Sequence, residues 1–436
     1  MKRLVTTLTA ATLALGTVLA ANVASAEDVV NLPNLSYRTG PFAATGIPLM
    51  DGQRDYMLML NTRDGGVNGV KLGYDECETG YNTEKGVECY EKTKANGIVT
   101  QPWSTGITLQ VLPKTNVDKI PILAPGYGFS AMTDGKTFQW AFNPPASYWD
   151  GADMILQNIS GGNLDSLKGK KIVLLHLDHP YGKEPIPLFE ALAAKHGFTF
   201  LPIPVGLKEM QNQSAQWLQI RRERPDFVLM WGWGAMNAGA ITEAVKTKFP
   251  MDKFVGIWWS GHDGDLKLVG EAGKGYRSLS WSLPNSEAPV MQDIKKHVID
   301  AGQSLSGEGE FDSVFYQRGV LISMILAEGV KAAQANFNTK VVNAEQLRWG
   351  LENLKLDEAK LKELGVEGMI PPFSTSCADH TGHSGAWMLE WDGSKFVKVS
   401  DVLKADQSEI QPIIAAKAKE YADANAPWPT NGECKI

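Results

Sequence analysis

The sequence predicts an α/β protein built from two doubly wound parallel-sheet units. Three observations point there: short apolar runs alternate with longer amphipathic ones, the richest runs lack polar alternation, and one Pro-rich segment divides the alternation into two. The strand candidates are Val70 to Glu76, Ile120 to Ala124, Lys171 to Leu177, Phe227 to Trp231, Phe254 to Ile257 and Tyr276 to Trp281. Ile172, Val173, Leu174 and Leu175 follow one another without a break, as in a strand buried on both faces of a parallel sheet. Helical periodicity fills the gaps over Thr83 to Lys94, Tyr148 to Ile159, Glu184 to His196, Gln213 to Glu223 and Ala235 to Lys248. Gly197 closes the third of these and Pro250 stops the last. Pro144 and Pro145 make Asn143 to Tyr148 a crossover between the units, and Ser282 to Ser286 is a second. Helices from Glu287 to Ala301 and Asp312 to Gln334 then rejoin the first unit. Asp392 and Gly393 between Ala386 to Trp391 and Lys395 to Val399 specify a β-hairpin.

The N-terminus indicates the compartment. Lys2 and Arg3 precede an uncharged stretch from Leu4 to Ala21, and Ala24, Ser25 and Ala26 form a small-residue cleavage pattern. This reads as a signal peptide over 1–26, and no second apolar run reaches spanning length. Glu27, not Cys, follows the cut, so a lipid anchor is not expected and the periplasm is.

Composition narrows the partners. The 436 residues carry 42 basic and 49 acidic side chains, a formal charge of -7 that becomes more negative when Lys2 and Arg3 leave. Nucleic acid is therefore not an expected partner. With 43% hydrophobic residues the chain has ordinary globular composition at a length suited to two or three domains. Cys77, Cys89, Cys377 and Cys434 enter an oxidising compartment as an even set, which favours disulfides. Chain proximity favours Cys77 with Cys89, leaving Cys377 for Cys434, worth roughly 3 and about 4 kcal/mol by loop closure.

In open parallel sheets ligands sit beyond the carboxyl ends of the strands. Those segments here are aromatic: Trp103 with Ser104 and Thr105, Tyr127 and Phe129 among Gly126 and Gly128, His179 with Tyr181, Trp231 and Trp233, and Trp258 with Trp259. Glycine lets backbone approach a ligand while a ring supplies contact area. Ser104, Thr105 and Thr108 open a predicted helix, where hydroxyls and amide N–H groups suit a carboxylate, or serve only as a cap.

Other motifs carry less. Asp134 to Thr137 imitates the end of a phosphate loop, but Ser130 stands where its first glycine belongs. His176 with His179 and His380 with His383 lack a full ligand set for a metal. No GxSxG or HExxH occurs. Neither metal nor cofactor is expected, nor catalysis.

Taken in order, Gly40 with Pro41, GGVNGVKL over Gly65 to Leu72, KIPILAP over Lys119 to Pro125, Tyr181 with Gly182, and Pro225 to Gly232 resemble the periplasmic receptors of the leucine/isoleucine/valine-binding type. The resemblance implies a type I two-lobed fold joined by a three-segment hinge that closes on a ligand. The corresponding lobes are 27–145 with 284–372, and 146–283 with 373–436, the latter ending in the hairpin and a helix. It further implies a soluble, monomeric substrate-binding component of an ABC importer, with a small-molecule ligand and an inner-membrane permease as partners. A periplasmic sensor subunit or an amino-acid binder is the alternative.

By the same resemblance Ser104 or Thr105 is a hydroxyl contact, Gly126 and Gly128 are backbone contacts, Tyr181 is a strand-end tyrosine and Trp233 a second-lobe aromatic. Trp258 stands where the family's amino-acid binders place an acid for the ligand ammonium, and Asp263 is the nearest acid downstream. A buried ammonium without a carboxylate is costly, so an apolar or aromatic acid or amide is the expected ligand.

Overall fold

The computed structural model describes residues 28–431. The signal peptide and the partner expected for Cys377, Cys434, lie outside them.

Two sheets, the first parallel and the second mixed, organise the chain. The first brings Val29–Asn31 beside Lys71–Gly73, continues through the Asn34–Gln101 and Thr100–Ile122 bridges, and ends on Ile122–Leu123 paired with Ala141–Phe142. Its strands are two or three residues long, and backbone bonds such as Leu35 N–H to Gln101 O (3.1 Å) and Leu123 N–H to Thr100 O (2.9 Å) tie them together. The helices Ala43–Arg63 and Val314–Phe337 pack along each other in this half. Close approach explains two glycines there: a Cβ on Gly52 would lie 1.9 Å from Tyr316 O, and one on Gly319 would lie 2.1 Å from Leu49 O.

The second sheet has seven strands. Thr199–Val205, Lys171–Leu177, Phe227–Trp231, Phe254–Gly256 and Arg277–Ser280 are parallel in the spatial order 199, 171, 227, 254, 277. The hairpin Trp387–Trp391 and Phe396–Lys398 extends the last edge in antiparallel fashion. Ile172 to Leu175 are fully buried, as their unbroken apolar run requires. Thr199–Val205 is absent from the sequence expectation because Pro202 and Pro204 demote it, and it lies at the sheet edge, where missing N–H groups are tolerated.

The chain passes between the sheets three times: between Phe142 and the helix Tyr148–Ser160, between Ser280 and the helix Pro289–Ile294, and between Ser374 and Trp387. The helix expected from Glu287 to Ala301 continues from Pro289–Ile294 as a π-helical turn, Lys295–Ile299. The C-terminal helix Gln407–Ala424 packs on the turn Ser130–Thr133 as well as on Tyr148–Ser160 and Ile186–His196. Its tail reaches back to the first half, where Trp428 Nε1 donates to Thr137 O at 2.7 Å and Asn431 N–H to Lys136 O at 2.7 Å. Cys77 and Cys89 form a disulfide with Cα atoms 5.6 Å apart, joining the end of one strand segment to the helix Thr83–Thr93.

Candidate ligand cavity between the two sheets

Beyond the carboxyl ends of both sheets lies a small cavity between the two halves. The first half contributes Tyr37, Tyr81, Trp103, Ser104, Thr105 and Tyr127; the second contributes Tyr148, Tyr181, Trp233 and Trp259. The lining residues lie a few positions past the ends of parallel strands, where loops leave the sheets and converge. No lining residue bears a formal charge.

The first wall is built on the start of one helix. Trp103 takes a left-handed backbone conformation (φ 52°), which turns the chain so that Ser104 caps the helix Thr105–Asp118. Ser104 Oγ accepts from Ile107 N–H, and Thr108 Oγ1 donates to Ser104 O at 2.8 Å, so Thr108 serves the helix and does not line the cavity. The first amides of a helix have no intrahelical acceptor. Trp103 N–H donates to Tyr127 Oη at 2.7 Å, and the two rings stack with centroids 5.3 Å apart. Two buried donors on this wall have no protein partner: Trp103 Nε1 and Thr105 Oγ1. Burial pushes the phenols of Tyr37, Tyr127, Tyr148 and Tyr181 well above their usual range, so they remain protonated donors.

On the second wall two polar tips are already engaged. Tyr181 Oη donates to Gly232 O at 3.0 Å, and Trp259 Nε1 donates to Gly126 O at 3.1 Å. Trp233 packs edge-on against Trp259 with centroids 5.3 Å apart.

The expected site residues therefore separate. Trp103, Ser104, Thr105, Tyr127, Tyr181 and Trp233 share the cavity. Trp258 lies outside its lining: it is fully buried, stacks on Tyr148 with centroids 5.9 Å apart, and donates from Nε1 to Gly126 O at 2.8 Å. Gly126 and Gly128 also lie outside the lining. Gly126 (φ 67°) offers one carbonyl to two indoles of the opposite half, and a Cβ there would lie 2.7 Å from Trp281 Nε1. Gly128 (φ 105°) packs against Met132. Asp263 opens a short helix, Asp263–Lys267, away from the lining.

Three lining residues, Tyr37, Tyr81 and Tyr148, escape the sequence reading of ligand contacts, and Trp259, named there beside Trp258, is not among its expected contacts. Each follows a strand, so the strand-end rule reaches them once the short strands of the first sheet are known. Trp259 replaces Trp258 because Trp258–Ser260 forms a 3-10 turn, in which successive side chains point about 120° apart.

Another contact closes the halves beside the cavity. Glu184 accepts Ser130 N–H at 2.8 Å, and burial raises its carboxyl to about 8.

The sequence matches the family model described as periplasmic binding protein over residues 29–395. The chain belongs to that family. Its fold is the type I periplasmic binding protein fold, and it is a substrate-binding protein of the ABC-transporter kind. A crystal structure described as an ABC transporter permease from the Pseudomonas fluorescens group is 35% identical, with a TM-score of 0.83 over 91% of this chain and 97% of that one. A branched-chain amino acid ABC transporter protein from Thermus thermophilus with bound valine is 20% identical, with a TM-score of 0.75 over 89% of this chain and 99% of that one. A solute-binding protein from R. palustris in complex with benzoate is 17% identical, with a TM-score of 0.66 over 87% of this chain and 97% of that one. A search of curated protein sequences finds no match. No helix among the described residues is long and apolar enough to cross a membrane.

Proposed function

We propose that this substrate-binding protein is exported to the periplasm, encloses a small aromatic or apolar acid or amide between two lobes, and delivers it unchanged to an inner-membrane ABC permease. The lobes are 28–145 with 284–374 and 146–283 with 387–431, joined through 375–386 as the third crossing, and the ligand lies between Trp103, Ser104, Thr105 and Tyr127 on one and Tyr181, Trp233 and Trp259 on the other. One observation carries the ligand class: the cavity is walled by rings and presents two buried, unpartnered donors, Trp103 Nε1 and Thr105 Oγ1, at the start of a helix. Buried donors need an acceptor, and a carboxylate or amide oxygen at the positive end of a helix supplies it.

The ring lining with its two unpartnered donors suits a small apolar or aromatic body that carries one polar group. Benzoate, bound by the R. palustris relative, fits that description. An α-amino acid such as the valine of the Thermus relative brings an ammonium group, and no lining residue is acidic.

A thermal-shift screen followed by calorimetry tests the reading with benzoate, benzamide, phenylacetate, leucine and valine. The acids and amides are expected to raise the melting temperature by binding only the folded form. Micromolar or tighter binding of leucine or valine would overturn the ligand class. Chromatography of each recovered ligand, expected unchanged, tests the absence of catalysis.

A further inference from the structure

Behind the tryptophan wall lies a charge that the lining itself lacks. Arg318, on the second turn of the helix Val314–Phe337, is 1% exposed. Its Nε donates to Ser282 Oγ (3.0 Å), Nη1 to Trp258 O (2.8 Å) and Nη2 to Ser280 Oγ (3.1 Å). The guanidinium lies 5.0 Å from the ring centroids of both Trp259 and Trp281 and 5.6 Å from that of Phe315. All three hydrogen-bond acceptors are neutral oxygens, and no carboxylate within ion-pair distance is found for it among the described residues. The nearby Asp265 carboxyl accepts from Asn237, whose amide also reaches Trp259 O, and burial raises that carboxyl to about 7. His262, stacked on Phe315, is pushed down to about 4 by burial and is neutral at pH 7.

A buried guanidinium keeps its proton and is expensive to hold without a counter-charge. Here the rings of Trp259 and Trp281 and three neutral oxygens stabilise it only in part. Trp259 both covers the guanidinium and lines the cavity. We propose that Arg318 sets the sign of the ligand: the cavity selects an anion, a small aromatic or apolar carboxylate whose negative charge completes Arg318 across Trp259, over the uncharged amide and over any cation.

The same geometry disfavours an aromatic cage for ammonium compounds. A ring attracts a cation through either π-face, but a cation on the cavity side of Trp259 also meets the repulsion of Arg318 behind it. A ligand charge in contact with Trp259 on its cavity side lies on the order of 9 Å from the guanidinium. At an effective dielectric constant of about 20 this amounts to about a twentyfold effect on affinity. The inference rests on the proposed function and narrows its ligand from acid or amide to acid.

Calorimetry at pH 7.5 with matched probes decides it: benzoate against benzamide, phenylacetate against phenylacetamide, and benzyltrimethylammonium as the cation. The intact protein is expected to bind each acid at least tenfold more tightly than its amide, and the ammonium compound not at all. Arg318→Met should weaken the acids about twentyfold and leave the amides unchanged, whereas Arg318→Lys should retain the acid preference. If Arg318→Met does not fold, as judged by circular dichroism, the acid-to-amide ratios of the intact protein and of Arg318→Lys decide alone. Amides or the ammonium compound binding as tightly as the acids would overturn the inference and leave the proposed function standing. Equal loss of acid and amide in Arg318→Met, showing a purely structural role, would overturn it too. Binding of no probe at all would refute the proposed ligand class and this inference with it.

Discussion

The two walls of the cavity are both aromatic, yet they are chemically unlike. On the first, Trp103 Nε1 and Thr105 Oγ1 are buried without protein partners at a helix start. On the second, Tyr181 and Trp259 have given their hydrogens to Gly232 and Gly126 carbonyls. The difference divides the work of binding. The first wall leaves two donors open for a ligand's polar group, while on the second Tyr181 bonds within its own half and Trp259 bonds across to the other. Under the proposed function, closure would draw on contacts that exist only when both halves meet.

The largest expected effect comes from a residue that serves both purposes. Trp259→Ala should cost about 3–5 kcal/mol of folding stability, as large buried aromatics commonly do, because it opens the cavity, breaks the bond to Gly126 and uncovers Arg318. Urea denaturation would measure it, and a loss under 1 kcal/mol would show that Trp259 is not integral to the wall. Next, Trp103→Phe keeps the ring but deletes its donor. It should weaken benzoate by about 1.5–3 kcal/mol if the indole meets a carboxylate, with the melting temperature unchanged. Unaltered affinity would place the ligand's polar group elsewhere.

Trp258→Phe sharpens the comparison from the other side. Trp258 bonds Gly126 without lining the cavity, so its loss should cost about 0.5–1.5 kcal/mol of affinity equally for every ligand. Small-angle scattering should show a more open molecule. A change in ligand preference would mean that its ring contacts the ligand after all.

A pH dependence is expected as well. Glu184 is raised from 4.5 to about 8 in the folded protein, so the folded state holds this proton more tightly than the unfolded chain. Its contribution is full below pH 4.5, declines as pH rises and is lost through about pH 8. Melting temperature across that window should fall in the native protein and run flatter in Glu184→Gln. Parallel curves would remove Glu184 from the account.

The second sheet was legible because its strands are long, apolar and uninterrupted, as in Lys171–Leu177 and Phe227–Trp231. The first was harder. Pieces as short as Ile122–Leu123 and Ala141–Phe142 carry no periodicity, and their pairing is decided by the helices packed around them. The strand-end rule located Trp103, Thr105, Tyr181 and Trp233 because a parallel sheet fixes where loops emerge. It named Trp258 and Trp259 together, and the family resemblance singled out Trp258, whereas the 3-10 turn Trp258–Ser260 turns Trp259 to the cavity. Arg318 gave no signal. An arginine in a helix reads as solvated until tertiary packing surrounds it with Trp259, Trp281 and Phe315.

The Gly126 carbonyl has a consequence for transport economy. It receives two indole hydrogens from the opposite lobe, and neither bond involves an atom of the ligand. At about 0.5–1.5 kcal/mol each, they tilt the unloaded receptor toward its closed form by roughly 5- to 150-fold, on the conversion of about 1.4 kcal/mol per decade. Under the proposed function, such a receptor would present the permease with closed molecules that carry nothing. Loaded receptors must compete with them for docking, and the rate of uptake then depends on how well the permease tells a filled clasp from an empty one.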